Sequence, residues 1–334
     1  MILVTGGAGY IGSHCVKNLL DEGYEVAVVD NLFRGYKEVI EVLQKKYGEN
    51  KLKFFKVDLL DRKAIDKVIE EVKPEGVIHF AAICLVSESM SNPLPYFEIN
   101  VGGTLNLLEA MVRNKINNLI FLSTSTVYGE NHYLPIDEKH PLLPVSVYGE
   151  SKLMMEKLAD WYNRIHGINY VIFRCFNVAG ADRDGLIGDS KKPSQLLIQN
   201  AVRGALGIET FKLTCSKVNT RDGSPVRDYV NVEDLADAYL AGLKYLWNDG
   251  KNEVINLGTG KGDSVLEVVE KVKEVTGVDF SVDQGEARKG DIAELYADAT
   301  KAEKLLGWKA KRSLKDTVES LAKWYRGHPN GWSY

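Results

Sequence analysis

Tyr148 and Lys152 stand four residues apart in Tyr-Gly-Glu-Ser-Lys, a spacing that puts a phenol and an ammonium on one face of a helix. A phenol is a weak base at neutral pH because its ordinary pKa is about 10. A nearby cation favours the phenolate and moves the group toward the range where it can take and return a proton. Ahead of this pair a strand-like run ends in Ser123-Thr124-Ser125-Thr126. A hydroxyl at 123 or 124 can hydrogen-bond a substrate oxygen and share its proton with Tyr148. Tyr-x-x-x-Lys alone is common on solvated helices, so its meaning depends on what surrounds it.

The chain opens with the strand-like Ile2-Leu3-Val4 running into Thr5-Gly6-Gly7-Ala8-Gly9-Tyr10-Ile11-Gly12. Glycines at such a turn let the chain reverse sharply, let backbone approach a pyrophosphate and let the helix pack against the strand. Amides at the helix start then carry partial positive charge toward the diphosphate. A second strand, Glu25–Val29, ends in Asp30. An acid there can accept both ribose hydroxyls of NAD and repels the extra phosphate of NADP. Arg34 nearby keeps NADP open as the alternative.

These residues need a scaffold, and the chain supplies an alternation. Strand-like runs at Lys53–Asp58, Gly76–Ala82, Leu119–Ser123 and Tyr170–Arg174 alternate with helical stretches, two of them near Tyr96–Asn114 and Gly149–His166. The pattern predicts an α/β protein: a Rossmann-like, doubly wound parallel sheet with right-handed crossovers and ligands beyond the strands' carboxyl ends. After Asn177 the pattern loosens. Lys191–Leu206 reads as a helix, residues 220–225 as a turn and Val254–Leu257 as a late strand. The expected division is a nucleotide domain of residues 1–176 plus about 230–257, and a smaller α/β substrate lobe of about 177–229 plus 258–334.

At 334 residues and 45% hydrophobic content the chain can build a sizeable core, which excludes a disordered protein. A net charge of −4 argues against a nucleic-acid or anionic-membrane surface. The four cysteines, Cys15, Cys84, Cys175 and Cys215, have neither metal-ligand nor disulfide-framework spacing, so no metal is expected. With no signal peptide and no apolar run long enough to span a bilayer, the expectation is a cytoplasmic enzyme.

Along nearly its whole length the chain resembles the extended short-chain dehydrogenases/reductases, and among them the UDP-galactose (UDP-glucose) 4-epimerase family. The similarity lies in TGGAGYIGSH, HFAA followed by VSES, STVYG, YGESK and RCFN. It continues through DGSPVRDYVNVEDLA, NLGTGKGDSVLEVV and RKGDIAELYAD, which are the more specific segments. The resemblance implies interconversion of UDP-galactose and UDP-glucose by reversible hydride transfer at C4 through a 4-keto intermediate, with NAD staying bound. It implies Tyr148 as acid/base, Lys152 lowering its pKa and holding the nicotinamide ribose, and Thr124 bridging to the sugar's 4-oxygen. Gly6, Gly9, Tyr10, Ile11, Gly12, Asp30, Asn31, Asp58, Leu59, Phe80, Ala81, Ala82, Asn100 and Phe176 would complete the cofactor site. Arg227 and Arg288 would grip the diphosphate, Asp291 the uridine ribose, and Asn177, Gln195 and Leu196 the nucleotide. A homodimer through the helices near 96–114 and 149–166 is a further implication.

Three positions depart from the family pattern: Cys84 where lysine is usual, Cys175 where tyrosine is usual, and Pro193-Ser194-Gln195-Leu196 where two asparagines are usual. Leu295 occupies a position where bulk resembles a lid against N-acetylated sugars, and leucine is intermediate in size. UDP-N-acetylglucosamine and UDP-pentoses therefore stay as alternative substrates. A 4,6-dehydratase shares the Tyr–Lys machinery but needs an acid beside Thr124, where Ser125 and Thr126 stand. A plain carbonyl reductase has no use for Arg227 and Arg288, and a non-catalytic NAD-binding module has none for the Tyr–Lys pair.

Overall fold

The computed structural model describes residues 1–190, 194–285 and 292–332. Its first half alternates strand and helix: β1 Ile2–Thr5, α1 Tyr10–Asp21, β2 Val26–Val29, α2 Lys37–Tyr47, β3 Leu52–Phe55, α3 Arg62–Val72 and β4 Gly76–His79. Then follow α4 Val86–Ser91, a π-helical stretch Tyr96–Gly102, α5 Gly103–Arg113, β5 Asn118–Thr124, α6 Val147–His166 and β6 Asn169–Cys175. The chain leaves through β7 Asn177–Ala179, α7 Leu197–Ala205, β8 Lys212–Leu213, β9 Val226–Arg227 and β10 Tyr229–Asn231. It returns with α8 Val232–Trp247 and β11 Glu253–Leu257. The last elements are β12 Asp263–Ser264, α9 Val265–Thr276, β13 Asp283–Gln284, β14 Glu294–Leu295, α10 Thr300–Leu306 and α11 Leu314–Gly327.

Seven strands form one parallel sheet in the order β11-β6-β5-β4-β1-β2-β3, the expected doubly wound fold. Alternate residues of β1 serve opposite faces. Ile2 and Val4 enter the core beneath α1 and α8, while Leu3 enters the one beneath α3, α5 and α6. Both faces are covered, which is why these strands are apolar throughout. Three smaller sheets, β10-β7, β12-β9-β14 and β13-β8, assemble from residues after 176.

Local chemistry sets the helix that carries the reactive pair. The Ser146 side chain accepts from the Gly149 amide at the start of α6, a cap that contributes about 1 kcal/mol. Gly167, at φ 73°, ends it in the left-handed conformation that side chains disfavour. The stretch expected as one helix over 96–114 begins instead with π-type turns. There Asn100 is buried, its carboxamide bonding both backbone groups of Ile83 and the Ser151 hydroxyl. The helix expected from Lys191 starts at Leu197; residues 191–193 lie outside the described residues, and 194–196 are irregular. Among the described residues no helix is long and apolar enough to cross a membrane.

Candidate active site

Tyr148 is the second residue of α6, and Lys152 follows one turn later. The Ser89 hydroxyl accepts from the Tyr148 amide at 3.1 Å, and the Tyr96 ring meets the Tyr148 ring edge-on. Sequence left two candidate hydroxyls, and the structure separates them. Thr124, at the end of β5, hydrogen-bonds the Tyr148 phenol. Ser123 points the other way and donates to Glu156 Oε1 at 2.5 Å. Alternation along a strand accounts for the split, because adjacent side chains face opposite sides of a sheet.

Lys152 is buried and Tyr148 half-buried, and loss of solvent acts oppositely on them. Desolvation pushes the Tyr148 phenol above its ordinary value, the Cys84 thiol adds to the rise, and the Thr124 hydrogen bond works against it. Burial lowers Lys152 from 10.5 to about 8. The lowered phenol expected from the ammonium together with a positive nicotinamide ring is therefore not a property of the protein groups alone, in which loss of solvent is the largest influence and raises it. At pH 7 a lysine of pKa about 8 is still mostly charged.

Beneath this pair lies a charged network that the sequence reading missed. Glu156, one turn beyond Lys152, receives two bonds from Arg174 of β6, Nη2 to Oε2 at 2.7 Å and Nε to Oε1 at 3.1 Å. Arg174 also donates to the Tyr128 hydroxyl, which donates to Asn256 Oδ1 at 2.6 Å. Both ends of the ion pair are nearly solvent-free, at 4% and 6% side-chain exposure. The 152/156 spacing was a usable clue to Glu156; its partner on β6 had no local signal.

The glycine turn has the shape a dinucleotide requires. Gly6 has φ +71°, and a Cβ there would lie 2.6 Å from the Ala81 nitrogen. A Cβ on Gly12 would lie 2.2 Å from the Gly6 carbonyl oxygen. No side chain caps α1, whose N-cap is Gly9, so its first amides face outward from a cradle free of side chains. The Asp30 carboxylate accepts from Ala8 N at 3.1 Å and Leu32 N at 2.8 Å, anchoring the turn to β2. Asn31 donates to Asp58 at 2.9 Å, joining the ends of β2 and β3, and Leu59 packs under Gly103. Phe80, Ala81 and Ala82 follow β4 beside the turn, with Phe80 edge-on to Tyr239. Arg34 is paired with Glu88 of α4 at 2.6 Å. Two expected cofactor residues spend their side chains elsewhere. The Tyr10 hydroxyl donates to Gly180 O at 2.5 Å, and the Asn100 carboxamide is taken up by Ile83 and Ser151. Ile11 is half-buried against the core.

On the other side, Asn177, Gln195, Leu196 and Arg227 line one pocket. Leu295 is the register partner of Arg227 across β14 and β9, and it packs with Phe176, Val127 and Tyr128 in one apolar cluster. That cluster joins the pocket wall to the ends of β5 and β6, where Thr124 stands. Arg227 Nη1 donates to the carbonyls of Val226 and Ile292, at 2.9 and 2.7 Å, which orients the guanidinium. Arg288 and Asp291 lie outside the described residues. Among the described residues no group of metal-ligating side chains comes together.

A parallel sheet with a glycine-turn cradle, a Thr–Tyr–Lys set at β5 and α6, and an arginine-bearing second pocket defines a nucleotide-sugar short-chain dehydrogenase/reductase of the extended type. A family model described as GDP-mannose 4,6-dehydratase matches residues 3–321. A UDP-glucose 4-epimerase from Lactobacillus helveticus is 42% identical over 99% of this chain and 98% of its own. A UDP-arabinose 4-epimerase from Arabidopsis thaliana is 39% identical over 99% of this chain and 80% of its own. The crystal structure of a UDP-glucose 4-epimerase from Bifidobacterium longum, solved with NAD+ and UDP, superposes with a TM-score of 0.93 at 36% identity, covering 99% of both chains. The chain belongs to the UDP-glucose 4-epimerase family.

Proposed function

We propose that this protein is a UDP-sugar 4-epimerase that works with NAD, with UDP-galactose and UDP-glucose as its principal pair. The observation that carries the reading is the Thr124–Tyr148–Lys152 set, largely withdrawn from solvent, beside the glycine-turn cradle. NAD, when bound, supplies a reversible hydride acceptor. Gly6, Gly9 and Gly12 would leave room for its diphosphate, and Asp30, Asn31 and Asp58 would take its adenosine, a reading supported by their position at the ends of β2 and β3 beside the turn.

Tyr148 removes the proton of the sugar's 4-hydroxyl and later returns it. Thr124, bonded to the phenol, shares that proton and fixes the phenol's direction. Lys152 stays charged at neutral pH and offsets the desolvation that raises the phenol. Arg227 and Arg288 hold the diphosphate, as guanidinium forks suit phosphate oxygens. Asp291 holds the uridine ribose, with Asn177, Gln195 and Leu196 along the nucleotide. Leu295, intermediate in bulk, favours hexoses over N-acetylhexosamines. The work divides between the nucleotide domain, residues 1–176 plus about 230–257, and the substrate lobe formed by the rest.

We further infer a cytoplasmic homodimer through α5 and α6, supported by Trp161 and Ile165, which lie four residues apart on α6 and are 56% and 67% exposed. The test of function is direct. Purified protein given UDP-galactose and no added cofactor should yield UDP-glucose, and Tyr148→Phe should slow this by about 10²–10⁴-fold. No conversion even with added NAD, or a fully active Tyr148→Phe, would refute the assignment.

A further inference from the structure

Lys152 is 2% exposed, and among the described residues no carboxylate is paired with its ammonium. Holding a cation in such a place is costly unless something nearby stabilises it. The nicotinamide ribose it is proposed to hold would be one such partner, and the protein supplies another. The carboxylate within reach, Glu156, is already committed: Oε1 takes Ser123 and Arg174, and Oε2 takes Arg174 again. What the ammonium does meet is an aromatic face. Lys152 Nζ lies 4.6 Å from the centre of the Phe121 ring, a distance at which the negative face of the π system attracts a cation.

Behind Phe121 lies a second ring. His79 of β4 stacks on it with centroids 5.7 Å apart and planes at 27°. The Thr104 hydroxyl donates to Asn100 O, so it can only accept from His79 Nε2–H. Burial, and then the Lys152 charge, lower His79 to about 3, so the imidazole is neutral and sets no second cation behind the ring. With Nε2 carrying the proton, Nδ1 accepts from the Thr5 hydroxyl at 2.6 Å.

We propose that Phe121 is a positioning residue for the reaction: its ring face, backed by His79, seats the Lys152 ammonium beside Tyr148. The inference rests on the proposed role of Lys152. Packing alone does not call for an aromatic residue, since the neighbouring positions of β5 are Leu119, Ile120 and Leu122. Other titratable or charged groups around Lys152 are Tyr148 and Glu156 on its own helix, His79 on β4 and Cys84 just after it. Tyr96 of the π-helical stretch, Glu88 of α4, and Arg174 and Cys175 of β6 complete the surroundings. None of them presents a carboxylate that is both free and in contact with the ammonium.

Replacing Phe121 by phenylalanines carrying one, two and three ring fluorines weakens the face potential while nearly preserving shape. Two readouts follow in NAD-loaded enzyme: the titration of the Lys152 ¹³Cε resonance, assigned with Lys152→Met, and the pH profile of kcat. The Lys152 midpoint should fall stepwise with fluorine number, by about one pH unit across the series. The alkaline limb of kcat should move down in parallel, and Phe121→Leu should match the most fluorinated ring. A midpoint that stays put, or moves without order in fluorine number, overturns the proposal. If the midpoint falls in order while kcat ignores it and Lys152→Met stays active, the seat for the charge is real and the catalytic role of Lys152 is what fails.

Discussion

Lys152→Met should make the protein more stable while abolishing its activity. In the folded state burial holds the lysine at about 8, against 10.5 for the exposed group. At about 1.4 kcal/mol per pH unit, that gap is about 3 kcal/mol of cost carried by the folded state at neutral pH. The sign follows from proton binding. Below pH 8 the folded and unfolded chains both hold the proton, and the folded chain bears the whole cost. Between 8 and 10.5 the unfolded chain binds more protons, so wild-type stability rises with pH through that window. Methionine is similar in length and apolar, and it removes the cost at every pH. The expected gain at pH 7 is about 2–3 kcal/mol, or a rise in Tm of about 3–6 °C for a chain of this size. Scanning calorimetry of both proteins at pH 7 and pH 10, without nucleotide, reads the effect. The variant should lead at pH 7, and most of that lead should vanish by pH 10. A variant less stable than wild type at pH 7, or a lead indifferent to pH, would refute the reasoning.

Other perturbations reach different parts of the site. Glu156→Gln leaves Arg174 buried with a neutral partner and should destabilise by about 3–5 kcal/mol in urea melts, whereas Glu156→Gln with Arg174→Met should recover much of that loss. Gly12→Ala drives a methyl into the Gly6 carbonyl. A distortion of about 1–3 kcal/mol corresponds to roughly five- to hundredfold weaker NAD binding, measurable by calorimetric titration. Leu295→Tyr should lower kcat/KM for UDP-N-acetylglucosamine about tenfold or more relative to UDP-galactose, and an unchanged ratio removes Leu295 from substrate selection.

What could be read from the sequence was what is local. Tyr148 and Lys152 share a face because they are four apart on α6, and the glycine turn announces itself because strand, turn and helix are contiguous. The sheet was legible for the same reason, since each strand is a short apolar run between helices. Contacts across the fold were not. Glu156 meets Arg174 only once β6 lies beside β5, and the face of Phe121 matters only because α6 crosses it. The π-helical turns at Tyr96–Gly102 had no local signal, because the bonds of Asn100 within them go to the distant loop after β4. Asp30 shows a subtler limit. Its position at the end of β2 was evident, while its hold on the Ala8 amide, which ties the turn to the next strand, needed coordinates.

Two tyrosines of the nucleotide half tie it to the segment that follows β7. Tyr10, from the glycine turn, grips the carbonyl of Gly180, and Tyr36, at the start of α2, grips that of Ser190. Any parting of these segments would have to break both bonds. The proposed reaction would need both sides of one sugar carbon to meet the cofactor, and with these two ties intact the sugar, turning about its diphosphate, would be the part that moves.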